Sequence, residues 1–185
     1  MTTMSEFSEQ IASRRSYSRV TQDAPTHDEL LGLIAAAGRV ADHSGLHPWR
    51  IIELRGDSRE RLGLALAKAG NMQGKDEAKQ VEKAQRAPLL LAIVATHARS
   101  EKVPEWEQDA VAAGVAHLLS ALLHEAGWGV IWRTGHLTRS REVAAMHELA
   151  ANEVLLGWLY IGGIPQSERQ GRREKINASD YLTVL

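Results

Sequence analysis

The sequence predicts a three-layer fold, α/β-like or α+β, in which a sheet lies between helices. Helix patterns and strand patterns alternate along the chain, as such layers require. The run 88–96 is apolar throughout and has the length of a strand that is buried on both faces. The run 104–129 is the longest helix pattern, and its apolar positions cover more than one stripe. We therefore expect this helix to be central and covered by the sheet or by a second subunit.

The first part of the chain predicts two helices followed by a loop. Residues 5–13 have the pattern of a short amphipathic helix. The run 26–40 begins with a capping box, in which Thr26 is the cap and Glu29 lies three positions later. Glycine and proline in 41–49 are incompatible with a continuing helix, so we expect a loop there.

A strand and two further helices follow this loop. Residues 49–54 alternate between apolar and polar side chains, which predicts a strand. Asp57 and Glu60 have the spacing of a second capping box and would open a helix that runs through Ala69. Residues 76–86 are strongly polar, and we expect them to form an exposed helix.

The chain after the long helix predicts two more strands with a short helix between them. Residues 129–134 form the first strand, and the apolar run 153–163 forms the second. Either Thr138 or Ser140 caps the intervening helix, which we expect to continue through Leu149.

The composition is that of a globular protein and excludes several classes of site. The chain has 185 residues without a repeat or a linker, so we expect one domain over residues 1–185. It contains no cysteine, which excludes disulfides, thiolate nucleophiles and Cys-ligated metals. The longest apolar stretch is too short to span a bilayer as a helix, and the N-terminus has no signal-peptide pattern. A cytoplasmic protein without a membrane partner is the expectation.

Positive charge is concentrated near the start of the chain, in the stretch RRSYSR at residues 14–19. Three interpretations are open: a solvated charge run, a nucleic-acid-binding arm, or a site for one small anion. A guanidinium pairs with two phosphate oxygens at once, and nearby hydroxyls supply further donors. A nucleic-acid interface would also use the charge run 168–175, but the net charge of −1 opposes that partner, since such proteins usually carry a basic excess.

Other chemical motifs are weak or missing. His43 and His47 are four apart, but Gly45 and Pro48 keep them off a common helix face, and no further ligand follows nearby, so we expect no metal site. No dinucleotide-binding or P-loop glycine motif and no nucleophile elbow occurs. The chain has five tryptophans and one phenylalanine, and flat indole rings suit either a core or a flat ligand.

Four stretches taken together resemble the nitroreductase family of FMN-dependent oxidoreductases, in particular its compact bacterial single-domain subgroup. They are RRSYSR, GRVADHSGLHPWRI, AGWGVIWRTG and GWLYIGGIP, and they occur in that order within residues 7–165. The resemblance implies an α+β fold with a mixed central sheet. It also implies an intertwined homodimer with FMN bound at the subunit interface.

The resemblance also implies which residues contact the flavin. The FMN phosphate would be held by the cluster after the first helix, Arg14, Arg15 and Ser16. The isoalloxazine ring would lie against the end of the strand 129–134, at Trp132, Arg133, Thr134 and Gly135. A third group would come in part from the other chain and consists of Arg39, His43 and His47, where His47 occupies the position at which the family has Gln or Asn before Pro-Trp. We further hypothesise that Arg15 or Arg19 stabilises the reduced flavin near N1 and O2.

The activity implied by the resemblance is a ping-pong transfer of hydride from NADH or NADPH through flavin N5 to a small acceptor, a nitroaromatic compound or a quinone. The implied nicotinamide contacts are Glu125, Ala126, Gly127, Trp128, Gly129 and Val130. Alternatives with the same fold are dehalogenation, flavin fragmentation or substrate dehydrogenation. A flavin-binding protein without catalytic activity is a further alternative. In every case the chemistry would belong to the cofactor, and the protein would position and tune it.

Overall fold

The computed structural model describes residues 5–166 and 176–185, and this part of the chain forms six α-helices and four strands. The helices are α1 (Glu6–Ser13), α2 (His27–Ala37), α3 (Asp57–Ala69), α4 (Lys75–Ala84), α5 (Glu105–Glu125) and α6 (Arg141–Met146). The strands are β1 (Trp49–Leu54), β2 (Leu89–Thr96), β3 (Trp128–Arg133) and β4 (Glu153–Gly163). Short 3-10 turns lie at His43–Gly45, His136–Arg139 and Ala178–Asp180.

The four strands form one sheet in the order β1-β2-β4-β3, and each neighbouring pair is antiparallel. The expected mixed sheet is therefore not seen within residues 5–166 and 176–185. The reason lies in the connections. The single helix α5 returns the chain to the end of the sheet at which β2 begins, so β3 runs in the same direction as β2. However, β4 lies between these two parallel strands and is antiparallel to both.

The sheet separates two apolar cores, which confirms the three-layer α+β arrangement. Alternate residues of β2 from Leu89 to Ile93 pack into one core with α2 and α5. The residues between them, from Leu90 to Val94, pack into a second core with α3 and α6. Residues 89–95 are at most 1% exposed, as the uninterrupted apolar run predicts.

The helix α2 begins with the predicted capping box. The Thr26 backbone N–H donates to Glu29 Oε2 at 2.7 Å, and the Glu29 N–H donates to Thr26 Oγ1 at 3.2 Å. The hydrogen bond from the Thr26 backbone lowers the pKa of the Glu29 carboxyl. Two donors that the helix leaves unpaired are satisfied by this reciprocal pair.

The second predicted capping box, at Asp57 and Glu60, is wrong. Gly56 is the cap of α3, its φ is +52°, and it makes no side-chain capping bond. Asp57 already lies inside the first turn, where its carboxylate faces the positive end of the helix dipole. The chain takes this route because glycine adopts a positive φ without strain and permits a tight turn after β1.

Of the two candidate caps for α6, Ser140 is the one used. Its hydroxyl accepts from the Val143 N–H at 3.4 Å. Thr138 instead lies buried in the preceding 3-10 turn. The helix ends at Met146, three residues before the predicted end, and the chain turns at Glu148 with a φ of +52°.

The segment from Tyr17 to Thr21, which begins within the arginine cluster, is attached to β3 and β4. The Tyr17 N–H donates to the Val130 carbonyl at 3.0 Å, and the Thr21 N–H donates to the Gly163 carbonyl at 2.8 Å. A Cβ at Gly162 would lie 2.7 Å from the Thr21 carbonyl oxygen. Glycine at this position therefore lets the N-terminal segment approach β4 closely.

The helix α5 has 21 residues and is the longest helix in the described ranges. Pro104 is its cap, one position before the first turn, and Gly127 follows its end with a φ of +86°. Neither α5 nor another helix in these ranges combines the length and apolarity needed to cross a bilayer.

Candidate functional site

The arginine cluster follows α1 beside the C-terminal end of α5. Ser13 Oγ and His124 Nε2 are 3.2 Å apart, which connects the end of α1 to α5. Arg14 Nη1 donates to the Arg15 carbonyl at 3.1 Å, and both arginines are half-buried, whereas Ser16 is exposed. The cluster is therefore anchored to the fold and is not a free basic arm. The other predicted basic run, residues 168–175, lies outside the described residues.

A cavity of about 560 Å³ opens at the end of β3. All four residues predicted to lie against the isoalloxazine, Trp132 to Gly135, line it. Further lining residues come from α4 and from the turn that follows it, namely Gln80, Lys83 and Arg86. This volume is within the usual range of small-molecule sites, about 300–1,000 Å³.

The charges around this cavity are positive. Lys83, Arg86 and Arg133 line it, and no Asp or Glu is among the described residues that do so. The Arg133 guanidinium lies 5.2 Å from the ring centroid of Tyr160, a cation–π distance. Burial raises the pKa of Tyr160 to about 12, so this phenol stays protonated at neutral pH. The cavity is therefore suited to an anionic or electron-rich ligand.

Three buried polar atoms on the cavity wall have no hydrogen-bond partner within the described part of the chain. They are Trp132 Nε1, Arg133 Nε and Thr138 Oγ1. A buried donor or acceptor that stays unpaired costs about 1–3 kcal/mol. A polar ligand or ordered water in the cavity would remove that cost.

The remaining predicted flavin contacts lie near the other end of α5. Arg39 is exposed just after α2, and His43 begins a 3-10 turn. His43 Nδ1 lies 2.9 Å from Glu107 Oε2, in the first turn of α5. His47 is exposed and has a φ of +47°. His43 and Glu107 also line a second, open cavity of about 480 Å³.

One chain therefore keeps the predicted flavin contacts in two separate groups. Glu107, which holds His43, and His124, which contacts the end of α1, are 17 positions apart in α5. At about 1.5 Å per residue, the helix separates them by about 25 Å. The arginine cluster belongs to one group, and Arg39, His43 and His47 belong to the other. The end of β3 lies between them along α5, since the ring centroids of Trp132 and His117 are 5.1 Å apart.

The two histidines that sequence spacing made candidates for a metal pair have other neighbours. His43 pairs with Glu107, and the backbone N–H of His47 donates to Asp42 Oδ2 at 2.7 Å. Across the described ranges, no group of three or more His, Cys, Asp or Glu side chains is arranged to hold a metal ion.

The segment predicted to contact the nicotinamide runs from the end of α5 into β3. Glu125, Ala126 and Gly127 are exposed, whereas Gly129 and Val130 are buried. A Cβ at Gly129 would lie 3.1 Å from the side chain of Val20, because the N-terminal segment covers this part of β3. Within one chain, only the first half of the predicted segment is open to a ligand.

Sequence reasoning missed most of the residues that line the cavity, including Gln80, Lys83, Arg86 and Tyr160. The polar pattern over 76–86 predicts an exposed helix, whereas Gln80 and Val81 are half-buried in the structure. The one signal available in the sequence is that Lys83 and Arg86 lie within a few residues of the start of the most apolar strand of the chain. A cation placed there must lie at one end of the sheet.

The chain resembles known proteins over most of its length. A family model described as the Nitroreductase family matches residues 11–163. The Escherichia coli (strain K12) protein named "Putative NAD(P)H nitroreductase YdjA" is 35% identical over 159 residues, which are 83% of this chain and 86% of that protein.

Two solved structures have the same fold. One is a nitroreductase-like family protein from Bacillus cereus, with a TM-score of 0.82 and 20% identity, covering 100% of this chain and 98% of that one. The other is a mutant of NfnB, described as an FMN and NADPH-dependent nitroreductase, from sphigopyxis sp. strain HMH. Its TM-score is 0.75 at 16% identity, over 97% of this chain and 99% of that one.

Proposed function

The chain belongs to the nitroreductase family of oxidoreductases, and we propose that it is an FMN-dependent enzyme that oxidises NADH or NADPH and reduces a nitroaromatic compound or a quinone. The name of the relative YdjA includes NAD(P)H, and the description of NfnB includes FMN and NADPH. We also propose that residues 1–185 act as one FMN-binding domain, because both apolar cores lie on the same sheet. The cytoplasmic location stays a prediction from the sequence.

The observation that carries this proposal is the cavity at the end of β3. It combines three cationic side chains, Lys83, Arg86 and Arg133, with buried polar atoms that lack partners in the described chain. FMN presents a phosphate, several carbonyl oxygens and ring nitrogens, so its chemistry matches these donors. The residues present therefore fit the cofactor.

When bound, FMN supplies two-electron chemistry, accepting a hydride from NADH or NADPH and passing it to the acceptor. The chain's own residues would bind and orient it. Arg14, Arg15 and Ser16 would pair with the phosphate, since guanidinium groups make bidentate bonds to phosphate oxygens. Lys83 and Arg133 would favour negative charge on the reduced ring. The same role for Arg15, which is half-buried, or for Arg19, which is exposed, stays a prediction.

A complete site would need two chains. The two groups of predicted contacts are about 25 Å apart along α5, as its 1.5 Å rise per residue requires. The outer surface of α1 and α5 also exposes Phe7, Ile11 and Leu118, which are 66%, 44% and 37% exposed. Such a patch is typical of a protein interface. In the C-terminal range, Tyr181 and Leu182 are 81% and 74% exposed, which fits an intertwined homodimer.

The decisive experiment is an absorption spectrum of the purified protein, followed by anaerobic addition of NADH and, separately, NADPH. A yellow protein that is bleached by either nucleotide and recovers its colour with a nitroaromatic or a quinone would support the proposal. A colourless protein that takes up no added FMN would refute it. A yellow protein that neither nucleotide bleaches would instead support a binding role without catalysis.

A matched pair of lysines on α4 tests the cavity. Lys83 lines it, whereas Lys79 is 67% exposed, pairs with Asp76 at 3.4 Å and does not line it. A hydrogen bond to a charged group is worth about 1.5–3 kcal/mol, so Lys83→Met should weaken FMN binding by about tenfold or more. Lys79→Met should change it less than about twofold, since exposed ion pairs contribute little. Equal effects of the two variants would remove Lys83 from the site.

Size-exclusion chromatography with light scattering tests the dimer. We expect a particle of twice the chain mass that loses FMN on dilution as the subunits separate. A monomer that keeps FMN with undiminished affinity would contradict the two-chain site.

A further inference from the structure

The loop over 42–47, between α2 and β1, is held in a strained conformation. Ser44 and His47 have φ values of +66° and +47°, which non-glycine residues rarely adopt. The Asp42 carboxylate accepts from the backbone N–H of Leu46 at 3.2 Å and of His47 at 2.7 Å. Strain of this kind persists only where surrounding contacts fix it, and the two Asp42 bonds supply them. The loop therefore presents His43 from a fixed backbone.

Glu107 orients the imidazole of His43. The 2.9 Å contact joins Nδ1 of the ring to Oε2 of the carboxylate, which can only accept. Nδ1 is therefore the protonated ring nitrogen in this pair, and Nε2 is the atom left for a ligand. His43 is 54% exposed and Glu107 29% exposed, so the pair is in contact with solvent. A histidine with one nitrogen held by a carboxylate is a standard arrangement for moving a proton at the other nitrogen.

Trp106 stands next to this pair. Its side chain lines the 480 Å³ cavity together with His43 and Glu107, and the residue is 69% exposed. A large indole left open to solvent on a cavity wall offers a flat apolar face to a flat ligand. The other residues that line the cavity have short side chains and are Ala41, Asp42, Ala110 and Val111, so Trp106 is the only aromatic carbocycle among the described lining residues.

We propose that Trp106, His43 and Glu107 form the acceptor side of the enzyme's site: a flat nitroaromatic or quinone stacks on Trp106 and receives a proton from His43 Nε2, while Glu107 positions His43. This inference rests on the proposed function. His43 belongs to the group of residues expected to reach the partner subunit's flavin. Trp106 and Glu107 line the same cavity and so would be brought there with it.

The proton balance explains why such a donor is needed. A quinone that takes a hydride, which is two electrons and one hydrogen nucleus, requires one further proton to become the hydroquinone. A nitro group that takes a hydride and one proton becomes a nitroso group and releases water. In both cases one proton must come from outside the hydride. The imidazolium form of His43 gives that proton from Nε2 and is reprotonated by solvent, to which it is exposed.

Binding of an acceptor to the oxidised holoenzyme tests the stacking step without turnover. We would titrate 4-nitrobenzamide into FMN-loaded protein by calorimetry. Trp106→Leu should weaken binding by about 3- to 10-fold, the magnitude expected for loss of one aromatic contact, and Trp106→Phe should retain most of the affinity. Unchanged binding in Trp106→Leu would overturn the assignment of Trp106.

Stopped-flow measurement of the two half-reactions tests the proton donor. Reoxidation of the reduced enzyme by 4-nitrobenzamide should slow about 100-fold in His43→Gln and about tenfold in Glu107→Gln, since a general acid contributes about 10²–10⁴-fold and its orienting partner less. Reduction by NADH or NADPH should stay the same in Glu107→Gln at equal FMN occupancy. A purely structural role would slow both half-reactions together.

Glu105 provides the matched control. It lies in the same turn of α5, its side chain is 78% exposed, and its nearest ionic neighbour is His97 at 3.8 Å. Glu105→Gln should leave both half-reactions unchanged. If Glu107→Gln behaves like Glu105→Gln, or slows both half-reactions equally, the proposal is overturned. If the wild-type protein is not reduced by either nucleotide, the proposed function fails first, and the two failures are thereby distinguished.

Discussion

Replacing Glu153 by Gln should destabilise the protein by about 2–3 kcal/mol at pH 7, because this carboxylate carries one of the strongest polar contacts in the described structure. It accepts from Arg50 Nε at 2.5 Å and from Arg50 Nη2 at 2.7 Å. It also accepts from the Ala150 N–H at 2.9 Å and from Thr96 Oγ1 at 3.3 Å. Its side chain is 6% exposed, so it joins β1, β2 and β4 from a largely buried position.

The magnitude follows from the pKa of Glu153, which the Arg50 hydrogen bonds lower from 4.5 to about 2. At about 1.36 kcal/mol per pH unit, that difference corresponds to about 3.4 kcal/mol of stabilisation. Arg50 is 40% exposed, and water screens the pair, which reduces the value to about 2–3 kcal/mol. Because the folded pKa is depressed, the stabilisation is complete above pH 4.5 and is lost as the pH falls toward 2. At pH 3, roughly 40% of it should remain.

Urea unfolding of wild type and Glu153→Gln at pH 7 and pH 3 measures this, at one fixed protein concentration because subunit pairing is proposed. The free-energy difference between the two proteins should fall from about 2–3 to about 1 kcal/mol. Glu82→Gln, at an exposed position on α4, is the control and should shift stability by less than about 0.5 kcal/mol. A difference that is the same at both pH values would show that the charge of Glu153 is not its source.

Three further changes test other parts of the fold. Thr26→Ala removes the cap of α2 and should lower the free energy of unfolding, measured in urea, by about 1 kcal/mol. An unchanged free energy would mean that the capping box does not stabilise the protein. Gly162→Ala places a Cβ 2.7 Å from both the Thr21 carbonyl oxygen and the Val20 side chain. This substitution should lower the free energy of unfolding by about 1–3 kcal/mol and make the N-terminal segment sensitive to protease. Protease resistance equal to that of the wild type would contradict the close approach. Burial lowers the pKa of His147. The free energy of unfolding of the wild type should therefore fall as the pH drops below 6.5, by up to about 1.36 kcal/mol per pH unit. When unfolding is measured at pH 7 and pH 5.5, His147→Gln should lack that dependence.

The parts of the fold that the sequence predicted are those determined by local patterns. The capping box at Thr26 is confirmed because both partners lie within one turn of helix. The buried strand β2 is confirmed because its apolar run leaves no polar face. The box at Asp57 fails because a positive φ at Gly56 ends the strand abruptly, and capping residues alone do not reveal that turn. Strand order could not be predicted, since the position of β4 between β2 and β3 depends on contacts distant in sequence.

The candidate site shows the same division. The segment from Trp132 to Gly135 was predicted, and it lines the cavity, because the family resemblance lies in contiguous residues. Lys83 and Tyr160 were missed because they come from elements far apart in the chain that only the fold brings to one wall. The contact between His43 and Glu107 spans 64 positions, and neither residue has a local pattern that points to the other. A site formed by side chains that are far apart in the sequence cannot be predicted from a single sequence.

The helix α5 makes the two-chain site testable by mixing subunits. Val115, Leu119 and Leu123 are completely buried against the sheet, so the two ends of α5 cannot approach each other without loss of the core. If FMN needs Arg15 from one chain and His43 from the other, Arg15→Ala and His43→Ala homodimers are each defective at both sites. When the two variants are unfolded and refolded together, about half of the symmetric pairs should be hybrids, each with one intact site, so about a quarter of all sites should recover. We expect that fraction of wild-type FMN content and activity in the mixture. If each chain held its own complete site, every site in the mixture would still carry one of the two substitutions, and mixing would restore nothing.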